Sequence, residues 1–366
     1  MGVIHLGRGH PSSTLLPDAL LRATLATLDP ARSLAALQYR GAALDTDFRT
    51  ALAAFLTDRY RHPVTPAEVL PTSGISLTLG MVCQVFAPAG ATVVCSDPTY
   101  FHATSVLHTA GMKLHPVPVD GEGMVVDALE DALRAGLRPA LVYCIPAFHN
   151  PAGVCLSPAR AEKLVDLAVA YDFRVVADEP YTLLHFGPTP PPCLMAFDQG
   201  RGRVIGLGSF SKLLAPGLRV GWLHAHPALI EAFCTHGTLR SGGGLNPWMA
   251  AAVTTLMENG ALSDNVDHLR ATLSARMHAL TDALRSQLPD CTFHTPEGGY
   301  FLWASLPGPV VEGAGVTFLS GQRCSPAGGC GDRARLSVSL YDAEVLQEGI
   351  ARLARSYRIS RTSSEQ

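Results

Sequence analysis

The chain has 366 residues, 47% apolar and 16% charged, and its 28 basic and 31 acidic side chains leave a formal charge of −3. That length supports a large core divided over two domains, and that composition excludes a disordered or low-complexity protein. No basic stripe supports nucleic-acid binding, no apolar run is long enough for a membrane span, and the start, Met1-Gly2-Val3-Ile4-His5-Leu6-Gly7, lacks the pattern of a signal peptide.

Taken in chain order, Ser73-Gly74-Ile75-Ser76 opens a predicted helix that runs to about Phe86. A helix N-terminus offers free N–H groups and a favourable dipole to an anion, although the same residues suit an ordinary capped start. Short apolar runs at 91–95, 113–117 and 140–144 predict strands. The turn formers His149-Asn150-Pro151-Ala152-Gly153 follow the third of them. Ser157 and Pro158 then stand as N-cap and first residue of a helix to about Ala170. A fourth strand at 174–177 leads into Asp178-Glu179-Pro180-Tyr181, and the proline-rich 187–192 reads as a surface loop. A fifth strand, 204–207, leads into Ser209-Phe210-Ser211-Lys212 and on to Arg219. Strands alternating with helices predict an α/β fold around a mostly parallel central sheet, which binds ligands at the carboxyl ends of its strands.

After about Pro247 the pattern changes. A long helix is predicted over 263–288, stopped by Pro289, then strands at 299–303 and 335–339, a last helix from Asp342 to about Arg355, and a frayed polar tail from Arg358. This is read as a smaller α+β domain formed by 1–29 with 251–366, beside a large domain of 30–250. The nine cysteines are scattered and show no C-x-x-C pair, which predicts free thiols in a reducing, cytoplasmic setting. Cys324 and Cys330 are close in sequence but lack further ligands, so no metal site is expected.

The residues around Lys212 carry the functional argument. A lysine amine can condense with an aldehyde, and a hydroxyl with a guanidinium can hold a phosphate. Ser209, Lys212 and Arg219 together at a strand end therefore suggest a site for pyridoxal 5′-phosphate. Each residue alone has a plainer role, as a solvated charge, a turn residue or a surface ion pair. Asp178, also at a strand end, could hold a pyridinium nitrogen protonated or simply cap a turn.

With these motifs in view, nearly the whole chain resembles the class I/II aminotransferases of fold type I, which depend on pyridoxal phosphate. The branch it is most similar to contains α-aminoadipate and kynurenine aminotransferase-like enzymes, and also forms the catalytic half of certain bacterial regulators. Gly9-His10-Pro11, Leu37-Gln38-Tyr39, Asp97-Pro98-Thr99-Tyr100, Asp178 to Tyr181, Ser209 to Lys212 with Pro216 to Arg219, Gly298-Gly299-Tyr300-Phe301 and Arg335-Leu336-Ser337 occur in that branch's order. The resemblance implies that Lys212 binds the cofactor covalently and then moves the substrate proton. It implies that Asp178 pairs with the ring nitrogen, Asn150 and Tyr181 with the ring oxygen, and that Tyr100 stacks on the ring. Ser209, Ser211, Arg219 and the backbone of Gly74 and Ile75 would hold the phosphate. Arg335 would clamp the substrate carboxylate in a site completed by Asn150 and Gly9. Tyr39 would reach the phosphate of a partner subunit, which implies a homodimer. The implied activity is ping-pong transfer of an amino group from an α-amino acid of aminoadipate, aromatic or branched-chain type to a 2-oxo acid. Two alternatives stay open: a lyase or cyclising enzyme on the same fold, and a non-catalytic relative that binds the cofactor.

The chain departs from that branch in places. Ile75-Ser76 replaces a polar pair, His149 replaces a glutamine and is expected to be a satisfied loop histidine, and Ala152 replaces a threonine. Residues 308–314 are too few for a helix that relatives carry there. With Gly9-His10-Pro11 so near the start, a stand-alone enzyme rather than a fused regulator is expected.

Overall fold

The computed structural model describes residues 2–39, 45–242, 245–306 and 315–364, with side chains up to Tyr357. The described strands are β1 (Ile4–His5), β2 (Val69–Thr72), β3 (Thr92–Asp97), β4 (Lys113–Asp120), β5 (Gly123–Met124), β6 (Leu141–Cys144) and β7 (Arg174–Asp178). After them come β8 (Val204–Ser209), β9 (Gly221–Ala225), β10 (Thr292–Phe293), β11 (Phe301–Ser305), β12 (Val316–Thr317), β13 (Leu319–Ser320) and β14 (Arg333–Ser337).

Eight of these strands form the large sheet in the order β2-β9-β8-β7-β6-β3-β4-β5. The pairings from β8 through β7, β6 and β3 to β4 are parallel, and those of β2, β9 and β5 are antiparallel. Helices cover both faces, so the inner strands β6 and β8 are buried along their whole length and read as continuous apolar runs. The mostly parallel sheet flanked by helices, with a smaller antiparallel sheet beside it, is the architecture expected from the sequence. The smaller sheet has the order β10-β11-β14-β13 and is entirely antiparallel. The helices Ala261–Gln287 and Ala343–Ser364 pack against each other beside it. The N-terminal strand β1 does not join the large sheet but pairs in parallel with β12.

Ser157 is the N-cap and Pro158 the first residue of the helix Pro158–Ala170, as expected, although the Ser157 hydroxyl makes no capping bond and is buried without a partner. The structure corrects two local expectations. The last helix does not end near Arg355 with a frayed tail, since its backbone continues to Ser364. His149 is only half satisfied: Nδ1 accepts the Ala152 N–H at 3.2 Å, whereas buried Nε2 has no partner. Burial holds that imidazole neutral, with its pKa lowered to about 3. The shortened segment 308–314 lies outside the described residues.

One close contact locks the strands that carry the site. Gly208 in β8 faces Trp222 in β9, and a Cβ there would lie 1.9 Å from the indole Cε2. Both strands pair with others on their far side, so neither can retreat. Gly208→Ala is expected to cost about 3 kcal/mol of stability, as overpacking does, and denaturant titration will show it as a lowered unfolding midpoint.

Candidate active site

The carboxyl ends of β7 and β8, the start of the helix Ile75–Phe86, the N-terminal segment and β14 converge on a cavity of about 390 Å³. Lys212, Asp178, Tyr181, Asn150, Tyr100, Ser209, Ser211, Arg219, Ile75, Gly9 and Arg335 all line it. Gly74 lies directly behind Arg219. Tyr39 stands apart: it is 90% exposed, and its ring would meet a Cβ on Gly242.

Asp178 ends β7 and is buried. Its Oδ2 accepts a hydrogen bond from the Tyr143 hydroxyl at 2.6 Å, while Oδ1 is buried with no partner. Burial raises this carboxyl to a pKa of about 6, against the lowering effects of the Tyr143 hydroxyl and the Lys212 ammonium. Sequence reasoning misses Tyr143, because in the run 140–144 it reads as a strand residue and nothing more. A second buried carboxyl, Glu179, accepts from the Leu194 N–H at 2.9 Å and is raised by burial to about 7.

Lys212 Nζ donates to the Gly9 carbonyl at 3.1 Å and lies 5.4 Å from the centre of the Tyr300 ring. Burial, with Arg335 close by, lowers its pKa to about 8. Arg335 projects from β14, where it faces Trp303 and Leu319 on the neighbouring strands. Its Nη1 donates to Asn150 Oδ1 at 2.8 Å and its Nη2 to the Gly7 carbonyl at 2.7 Å, with the guanidinium 4.0 Å over the Phe301 ring. Its Nε is buried and has no partner.

At the far end, Ser209 Oγ donates to Ser211 Oγ at 2.8 Å. Arg219, at φ 52° in the left-handed region, reaches back so that Nη2 donates to the Ser73 carbonyl at 2.8 Å. Gly74 has φ 94°, and a Cβ there would sit 2.9 Å from Arg219 Nη2. The helix that starts at Ile75 has no side-chain cap. The result is a cup of free N–H groups, hydroxyls and one guanidinium, suited to a phosphate. Tyr100 forms the cavity wall with Phe101 and His102, its ring 5.6 and 5.5 Å from theirs. Tyr181 is buried against Tyr300 and Phe301 at 5.4 and 5.7 Å, and burial drives its phenol well above its usual pKa.

A carboxyl oxygen with no partner at one end, an anion cup at the other and a buried amine between them fit pyridoxal phosphate: the oxygen suits the ring nitrogen, the cup the phosphate and the amine the aldehyde.

The comparisons with known proteins agree with this geometry. Residues 2–354 match the family described as aminotransferase class I and II. The chain is 32% identical to aromatic-amino-acid aminotransferase 1 of Thermococcus litoralis over 97% of its own length and 88% of the relative's. It superposes with a TM-score of 0.90 and 30% identity on a kynurenine aminotransferase of Pyrococcus horikoshii, covering 98% of this chain and 92% of that one. An α-aminoadipate aminotransferase of Thermus thermophilus, solved with N-(5′-phosphopyridoxyl)-L-leucine, gives 0.85 and 30% over 98% and 92%. With a family match along nearly all of its length and likenesses of this extent, the chain belongs to the class I and II aminotransferases.

Proposed function

We propose that this protein transfers the amino group of an α-amino acid to a 2-oxo acid with pyridoxal 5′-phosphate as cofactor, in two half-reactions of a ping-pong cycle. The observation that carries the reading is the convergence of Lys212, Asp178 and Arg335 on one cavity that also holds an anion cup. When bound, the cofactor supplies an aldehyde for amino groups and a ring that withdraws electrons from the bonds at the substrate Cα. Asp178 offers its unpartnered Oδ1 to the ring nitrogen, and with a pKa of about 6 it is mostly anionic at neutral pH. Arg219, Ser209, Ser211 and the N–H groups at Gly74 and Ile75 hold the phosphate. Asn150 and Tyr181 orient the ring oxygen, and Tyr100 covers one ring face. Arg335 receives the substrate α-carboxylate, using the Nε that has no protein partner. Lys212, with its pKa lowered to about 8, carries a useful neutral fraction and takes the proton from Cα. Gly9, whose carbonyl accepts from Lys212, lines the substrate end.

The proposal extends to assembly. Leu34, Leu37 and Tyr39 are 69, 68 and 90% exposed, and such apolar residues suit a homodimer in which Tyr39 reaches the partner's phosphate. The pairing of β1 with β12 supports a division into 30–250 and 1–29 with 251–366. All nine cysteines are free thiols, which suits the cytoplasm, and no helix among the described residues is long and apolar enough to cross a membrane.

The test is a single half-reaction. Purified protein loaded with pyridoxal phosphate is mixed with single amino acids and no acceptor, following the cofactor's visible absorbance and the 2-oxo acid released. The expected result is loss of the visible band with one equivalent of 2-oxo acid per site. An amino acid consumed with ammonia released, or a band that no amino acid changes, rules out transamination.

A further inference from the structure

A second cavity, of about 490 Å³, lies beside the first and shares no lining residue with it. The same segments build both. Trp303 on β11 is the cross-strand partner of Arg335 on β14, so Phe301, Trp303, Arg333 and Arg335 stand on one face of the smaller sheet. Phe301 and Arg335 line the first cavity, and Trp303 and Arg333, two residues along each strand, line the second. The segments that leave β3 and β6 are divided in the same way: Tyr100 and Asn150 line the first cavity, Asp97 and Ala152 the second.

This second cavity carries two charges that the protein leaves open. Asp97, half-buried at the end of β3, has no ion pair and no side-chain hydrogen bond among the described residues, and its Oδ1 is buried. Arg333 makes one ion pair, from Nε to the adjacent Asp332 at 3.4 Å, and its terminal nitrogens have no hydrogen-bond partner among the described residues. The other carboxylate on the wall, Asp120, is taken by Arg160, and His294 stands exposed. Asp97 and Arg333 act on one neighbour: burial raises the Cys330 thiol, Asp97 pushes it further up and Arg333 pulls it down. Arg333 is also fixed in position. A Cβ on Gly321 would lie 2.7 Å from Arg333 Cβ and 2.8 Å from Trp303 Cη2, so the arginine stem and the indole rest side by side on that glycine. Trp303, Pro98, Val119 and Val154 give the wall an apolar stretch.

We infer that this second cavity binds an α-amino acid as its zwitterion, with the ammonium on Asp97, the carboxylate on Arg333 and an apolar side chain against Trp303. A carboxylate without a partner favours a cationic donor, a guanidinium favours a carboxylate, and an indole favours an apolar or aromatic group. A simple anion or a simple cation satisfies one of the two charges and leaves the other, so the pair selects a ligand that brings both. The inference does not depend on what the first cavity catalyses.

The experiment is calorimetric titration of the cofactor-loaded protein, reduced with borohydride so that its active site cannot turn over an amino acid. The ligands are L-phenylalanine, 2-phenylethylamine and 3-phenylpropanoate, which share one tail and carry both charges, the positive one or the negative one. Wild type should bind L-phenylalanine at least about tenfold tighter than either analogue, the effect of one charge-assisted hydrogen bond. Asp97→Asn should weaken L-phenylalanine by about tenfold and leave 3-phenylpropanoate within about twofold. Arg333→Gln should weaken L-phenylalanine to the same extent and spare 2-phenylethylamine. Near-ultraviolet circular dichroism shows that each variant is folded, and either variant alone suffices for the test. Arg335→Gln, which alters the first cavity, should leave this binding unchanged. No binding of L-phenylalanine, equal affinity for the three ligands, binding that Asp97→Asn and Arg333→Gln both keep, or binding lost in Arg335→Gln instead overturns the site.

Discussion

Lys212→Ala is expected to lower kcat by about 10⁴-fold or more while the protein stays folded. The side chain is a buried cation held by one carbonyl and one ring face, with no ion pair among the described residues, so its removal relieves desolvation instead of stranding a partner charge. What is lost is the amine that binds the cofactor covalently and carries the Cα proton. Single-turnover kinetics check this, with an added small amine as the decisive control. Partial rescue by methylamine or ethylamine shows that the missing function is a proton carrier. Turnover within about tenfold of wild type without rescue removes Lys212 from the mechanism.

Asp178→Asn should lower kcat by at least about 10²-fold, the scale for loss of one preorganised charge in a buried site. The neutral amide keeps the shape and the neighbouring Tyr143 but cannot hold a ring nitrogen protonated. The same carboxylate predicts a pH dependence. Burial raises its pKa to about 6, so it is anionic above that value and neutral below it. Cofactor affinity of the apoprotein should therefore fall as pH drops through about 6, and the Asp178→Asn variant should bind weakly with no such limb. Fluorescence titration at several pH values measures both curves, and parallel curves for the two proteins would exclude this role.

What the sequence reveals of the site follows from where the residues stand. Asp178 and Lys212 follow apolar strand runs, and such ends point at the ligand edge of a parallel sheet, so residue type and position together identify them. Tyr143 escapes because its role arises from the pairing of β6 with β7, which no local pattern encodes. Three strands of the large sheet are also missed, of which β5, at two residues, is too short to show a pattern. β2 contains Pro71, which lowers strand propensity and is tolerated because β2 is an edge, and β9 follows so closely on Arg219 that it reads as part of the lysine motif. The parallel pair of β1 and β12 is too short to have a period.

The bonds from Arg335 to Gly7 and from Lys212 to Gly9 span 328 and 203 residues of chain. During synthesis Gly7 leaves the ribosome 328 residues before Arg335, so the wall of the cavity closes only after every strand of the large sheet has emerged. A nascent chain thus carries the whole large sheet before it has a working pocket, and it cannot turn over amino acids at that stage. In the finished enzyme the dependence is reversed: a protease that trims the chain after His10 opens the pocket and takes one carbonyl partner from each of Arg335 and Lys212, while the eight-stranded sheet loses none of its ladders.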